Sequence, residues 1–106
     1  MTAGSTLAAP PPLGTPSMVH LSGELDLHTA AGLEPALAEL ADSRRELVID
    51  LSDVTFCDSS GINLFLRLHH RCAAASGRLR LCRVPRRVAL VFRMFRFHHV
   101  VPCTFV

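Results

Sequence analysis

The 106 residues, 49% hydrophobic and 19% charged with no lysine, tryptophan or tyrosine, suffice for one small domain with one core. That excludes both a disordered chain and a multidomain enzyme. The net charge of +2 hides a split: residues 1–58 hold all nine acids and two arginines, whereas 59–106 hold nine arginines and no acid.

Residues 1–17, rich in Ala, Pro, Gly, Ser and Thr without periodicity, predict a flexible leader ahead of a domain over 18–106. No basic stretch precedes their short apolar run, and Pro10, Pro11 and Pro12 cut it, so no secretory signal is predicted and a cytoplasmic protein is expected. Val19 to Leu25 reads as a strand, after which Thr29 is the expected helix N-cap. Leu33, Leu37 and Leu40 recur at helical spacing, predicting a helix that ends near Asp42. Pro35 lies inside it and predicts either a late start near Glu34 or a kink. Glu46 to Leu51 is a β-branched apolar run expected at the centre of the sheet.

Val54 to Cys57 leads to Asp58-Ser59-Ser60-Gly61, a loop delivering a helix with Ile62, Phe65, Leu66 and Cys72 on one face. Asn63, Arg67, His70 and Arg71 take the other face, and Ser76-Gly77 stops the helix. Arg78 to Val84 predicts another strand. Pro85 fits the first turn of a last helix with an apolar stripe of Val88, Val91, Phe92 and Phe95, and Arg86 and Arg93 opposite. Val100 to Val106 predicts a closing strand. Strands alternating with helices imply an α/β layer with right-handed crossovers. The apolar stretch from Val88 on is broken by Arg93, Arg96, His98 and His99, so it cannot supply the roughly 20 residues that span a bilayer.

The candidate site is Asp58-Ser59-Ser60-Gly61. A helix N-terminus presents unpaired N–H groups and the positive end of its dipole, which favours a phosphate there. Ser59 or Ser60 either accepts a phosphate or caps the helix, and spacing alone leaves both readings open. Cys57, Cys72, Cys82 and Cys103 form no C-x-x-C pair and read as small buried hydrophobes, with neither disulfide nor zinc expected. His69-His70 and His98-His99 are adjacent pairs whose side chains diverge, so no metal site is expected; His69 reads as a hydrogen-bonded core residue and His70 as exposed. No G-x-S-x-G or G-x-x-x-x-G-K occurs, so neither an enzyme nor a cofactor is predicted. The arginines lack interleaved tyrosine or tryptophan, and direct nucleic-acid binding is not expected. They read as a solvated surface or, on the second helix, as a docking aid for an acidic partner.

L-S-G-E-L-D at 21–26 followed by His28-Thr29, L-V-I-D-L-S-D-V-T-F at 47–56 and C-D-S-S-G-I at 57–62 occur in an order and spacing that resemble the STAS domains of bacterial anti-sigma factor antagonists. The resemblance covers roughly four-fifths of the chain. It implies a mixed β-sheet of about four to five strands with α-helices packed mainly on one face. It also implies a non-enzymatic module whose unphosphorylated form binds an anti-sigma factor serine kinase, frees a sigma factor, and is switched off by phosphorylation on Ser59 and reset by a serine phosphatase. Asp26, Asp58, Ser60 and Gly61 would then support the phosphosite, and Glu24, Asp26, Thr29, Asp58, Ser59, Asn63 and Arg67 would meet the partner. Asn63 stands where the family commonly has a second glycine. The alternative is a STAS module that never switches, within a transporter or lipid-transport ATPase complex. No membrane contact is expected, and a bare sheet edge makes a homodimer an open expectation.

Overall fold

Period-two alternation builds the sheet and helical spacing covers it. The computed structural model describes residues 6–7 and 17–106. In chain order these are β1 (Thr6–Leu7), β2 (Ser17–Leu25), α1 (Leu27–Ser43), β3 (Glu46–Cys57), α2 (Ser59–Ala74), β4 (Arg78–Val84), α3 (Arg86–Met94), a 3-10 turn (Phe97–His99) and β5 (Cys103–Phe105). The five strands lie in sequence order, β2 to β5 mutually parallel and β1 antiparallel at the edge. The sheet is therefore mixed, and β3 is central as expected. Because every crossover steps to the next strand in the same direction, right-handed connections put all three helices on one face. Val19, Leu21, Leu47, Ile49, Leu79 and Leu81 are buried on that face in a single cluster with Leu37, Phe65 and Phe92 of the helices.

Several expectations are corrected. The leader over 1–17 lies mostly outside the described residues, but Thr6–Leu7 pairs with His20 and Val19, and Ser17 already belongs to β2. Pairing of a short edge strand needs only backbone groups, so composition carried no sign of it. β3 runs to Cys57 rather than Leu51: between His20↔Asp50 and Ser22↔Asp53, and again between Gly23↔Val54 and Glu24↔Phe56, it carries one residue more than β2. Each bulge shifts the side-chain phase, so the core series Leu47, Ile49 and Leu51 continues at Val54 and Cys57, three residues apart instead of two.

α1 begins at Leu27, not near Glu34, with Pro35 exposed in its interior. The proline removes one donor, leaving the Ala31 carbonyl without its helical partner on the solvent side, and the helix runs on. α2 stops at Ser76-Gly77 as expected. Ser76, at φ 62°, takes the left-handed position, and its N–H donates to the Ala73 carbonyl while that of Gly77 donates to Cys72 (2.7 Å). Glycine is needed at 77 for space: a Cβ there would stand 2.8 Å from the carbonyl oxygens of both Arg44 and Arg45. α3 ends at Met94, and the left-handed Arg96 (φ 53°) redirects the chain. Phe95, expected in the apolar stripe, is therefore exposed, and Phe97 takes the core position, its ring 4.7 Å from that of Phe92 and 6.1 Å from that of Phe65.

The other sheet face carries polar rows. Its centre is Asp50, 6% exposed, which accepts hydrogen bonds from Arg83 Nη2 (2.8 Å) and Nε (3.0 Å) and from the Ser52 N–H (2.9 Å). Cys82, level with Asp50, is half-buried, as is Cys103, whereas Cys57 and Cys72 are fully buried; all four are free thiols. The uniform burial expected of the cysteines thus holds for two, because no helix covers the sheet face that bears Cys82.

Burial alone would raise the Asp50 carboxyl, but the Arg83 and Ser52 hydrogen bonds outweigh it and hold it below the usual range. The carboxylate therefore stabilises the fold above its unfolded value of about 3.9, and that contribution disappears as pH falls through the lower folded value. Asp50→Asn should lower the urea midpoint at neutral pH, with the gap to wild type closing below about pH 4. Gly77→Ala should cost about 1–3 kcal/mol by overpacking. Gly32→Ala should stabilise by about 0.5–1 kcal/mol in the same denaturation series, since Gly32 is exposed within α1 and nothing lies within 4 Å of its added Cβ.

Candidate functional site

β2 and β3 end level with one another, Leu25 beside Cys57, and the next residue of each caps a helix. The Asp58 N–H donates to the Leu25 carbonyl (3.2 Å), which extends the pairing one step and holds the Asp26 and Asp58 turns side by side. Asp58 Oδ1 accepts the Ser60 N–H at 2.8 Å, and its carbonyl accepts those of Gly61 (3.1 Å) and Ile62 (3.3 Å). The cap of α2 is therefore the aspartate, and neither serine is used for it. Ser59 is exposed as the first residue of α2, and among the described residues no group hydrogen-bonds its hydroxyl; Ser60 is half-buried.

At α1 the cap is Asp26 rather than Thr29. Asp26 Oδ1 accepts the Thr29 N–H (2.9 Å), and Thr29 Oγ1 accepts the Asp26 N–H (2.9 Å), a reciprocal capping box. The Thr29 hydroxyl also donates to the Glu24 carbonyl at 2.6 Å. The Thr29 N–H bond holds the Asp26 carboxyl below the ordinary carboxylate range, against a smaller opposing effect of burial. Two helix N-termini thus open side by side at the C-terminal ends of β2 and β3, each capped by its own aspartate.

Gly61 makes this approach possible. A Cβ on it would meet Cys57 Sγ at 2.6 Å and Leu25 Cβ at 3.2 Å. Burial, with the Asp58 carboxylate beside it, pushes the Cys57 thiol up to about 12, which keeps it protonated and unreactive.

The remaining expected site residues divide. Glu24 and Asn63 are exposed, Asn63 lying one helical turn beyond Ser59. Arg67 is drawn to α1: Nε and Nη2 form a fork with the Glu34 carboxylate at 2.8 and 2.9 Å, as Arg71 does with Asp42 at 3.1 and 2.6 Å. These pairs tie α1 to α2, so the guanidinium expected at the partner surface serves the helix pair. His69 is half-buried with no hydrogen bond among the described residues, its ring 5.4 Å from that of His70, so it is no hydrogen-bonded core residue.

Two apolar side chains beside the site escaped the sequence reading, Leu27 (75% exposed) directly after Asp26, and Phe56 (45%) level with Glu24. Leu27 falls outside the stripe of Ala30, Leu33, Leu37 and Ala41, and that offset was the available signal. Among the described residues no cluster of three or more metal-ligating side chains occurs, and no helix is long and apolar enough to cross a membrane.

Residues 13–102 match the family model described as Mlab, STAS domain. The anti-sigma-B factor antagonist of Bacillus subtilis is 31% identical over 74 residues, 70% of this chain and 68% of the relative. The anti-sigma-F factor antagonist RsfB of Mycobacterium tuberculosis is 47% identical over 49 residues, spanning 45% of this chain and 40% of that relative. Among solved structures, an anti-sigma factor antagonist from Mycobacterium paratuberculosis superposes with a TM-score of 0.78 at 28% identity, covering 98% of this chain and 88% of that one.

The frame and the exposed serine should separate by mutation. Asp58→Ala should cost about 0.5–2 kcal/mol through the lost cap, and Gly61→Ala about 1–3 kcal/mol through overpacking. Ser59→Ala should stay within about 0.5 kcal/mol of wild type in urea denaturation.

Proposed function

This chain belongs to the STAS-domain family, and we propose that it acts as an anti-sigma factor antagonist, a binding module without catalysis of its own that works in the cytoplasm. The unphosphorylated form binds an anti-sigma factor serine kinase and so releases a sigma factor. Phosphorylation of Ser59 ends that binding, and a serine phosphatase restores it. The observation that carries this reading is the exposed Ser59 hydroxyl at the head of α2, without a hydrogen bond among the described residues and beside an aspartate that already performs the capping.

A phosphate there adds about −1.5 to −2 charges and three acceptor oxygens. The dipole of α2 favours it, while Asp58 and the neighbouring Asp26 oppose it. With both caps already made, the phosphate needs no rearrangement of the helix ends and acts on the surface alone. A remainder of about 1.4 kcal/mol already means a tenfold change in affinity, and placing a dianion in a complementary interface adds a desolvation cost. Leu27 and Phe56 supply apolar contact for the unmodified state, with Glu24, Thr29 and Asn63 around them.

One observation favours the other reading, a STAS module that never switches and serves a transporter or lipid-transport ATPase complex: both helix starts are already capped without phosphate, by Asp26 and Asp58. The two readings separate in one assay. Incubation with the anti-sigma factor kinase and ATP should put a single phosphate on Ser59 by peptide mass spectrometry. Ser59→Ala should bind the kinase constitutively and Ser59→Asp about tenfold more weakly or worse. An unmodified Ser59 with equal binding by both variants would favour the non-switching module.

A further inference from the structure

The basic half of the chain is unevenly neutralised. Arg67 and Arg71 pair with Glu34 and Asp42, Arg78 and Arg80 share Glu46, and Arg83 takes Asp50. Arg86, Arg87, Arg93 and Arg96, on α3 and the turn after it, meet no acid among the described residues. α3 buries Val88, Ala89 and Phe92 on one side. Its outer side sets Arg86, Leu90 and Met94 at successive turns, the last two 55% and 78% exposed.

A groove of about 570 Å³ opens between this helix and the distal part of β3, lined by Val54, Thr55, Pro85, Arg86, Arg87 and Leu90. It combines an apolar lining with two adjacent guanidiniums in the first turn of a helix that has no acid in that turn and no side-chain cap. Cations at the positive end of a helix dipole are unfavourable until an anion meets them.

We propose that this groove is a second docking surface, which takes an acidic segment of a protein partner. Carboxylates of the segment engage Arg86 and Arg87, and an apolar side chain between them rests on Pro85 and Leu90. Arginine suits the role because its planar fork matches a carboxylate bidentately. A concave groove accommodates a single extended or helical segment, whereas a flat bilayer surface would leave its lining unfilled. The groove residues include no aromatic or amide side chain for reading bases. The surface does not depend on the Ser59 switch, since none of its lining residues belongs to the Asp26 and Asp58 turns.

The test is an amide NMR titration of the full chain with a synthetic acidic peptide that carries leucine and phenylalanine among glutamates. Glutamine-substituted peptide, phosphatidylglycerol vesicles and duplex DNA are run in parallel. Shifts should concentrate at Val54, Thr55, Arg86, Arg87 and Leu90, and affinity should fall with salt. The Arg86→Glu, Arg87→Glu double variant should bind about tenfold more weakly or worse with a circular dichroism melt no lower than that of wild type, and Leu90→Gln should also weaken binding. Ser59→Asp should bind the peptide as wild type does. Absent shifts, shifts centred on Ser59, equal binding by the charge-reversed variant or the glutamine peptide, or a stronger response to vesicles or DNA would overturn the proposal.

Discussion

The seating of α2 against the ends of β2 and β3 rests on the missing side chain of Gly61. With 2.6 Å between a hypothetical Cβ and Cys57 Sγ, and 3.2 Å to Leu25 Cβ, any other residue would push the first turn of the helix away from the sheet. That turn carries the N–H groups that Asp58 satisfies, and the Asp58 backbone is in turn held by the Leu25 carbonyl. Moving α2 outward would therefore loosen the cap, the junction of the strand ends and the placement of Ser59 together. The rigid part of the site is backbone and packing, and the chemistry of the proposed switch is confined to one exposed hydroxyl.

Charge is organised by the same layer order. The acidic first half and basic second half interleave in space, so that α1 acids meet α2 arginines and β3 acids meet β4 arginines. Most of these pairs are half exposed and individually contribute little to stability, but the two forks from α2 to α1 also fix how the helices lie beside each other. Asp50 is the exception in burial, and its partners must therefore be complete. The arginines of α3 meet no acid among the described residues, which leaves their charge available for a partner while the buried side of the helix serves the fold.

Much of this was legible in the residues. Periodicity located the three helices and β2 to β5, the apolar run at 46–51 marked the central strand, and the D-S-S-G segment marked the helix that opens the site. The departures have physical causes that periodicity does not carry. Bulges in β3 come from register against β2, a long-range property. The exchange of Phe95 for Phe97 in the core follows from a left-handed arginine, which no turn signal announces. At α1 both Asp26 and Thr29 are good caps, and only the geometry decides that aspartate caps while threonine answers from the third position. The forks of Arg67 and Arg71 depend on which helices lie side by side, and sequence spacing is blind to that.

The central claim is that one phosphate on Ser59 controls partner binding while the fold stays as it is. The direct measurement is the affinity of the anti-sigma factor serine kinase for the chain carrying phosphoserine at 59, against the unmodified chain, with amide spectra of both. A loss of about tenfold or more, with spectral changes restricted to the Asp26 and Asp58 turns and the head of α2, is the expected result. Equal affinities, or a loss accompanied by unfolding of α2, would contradict it.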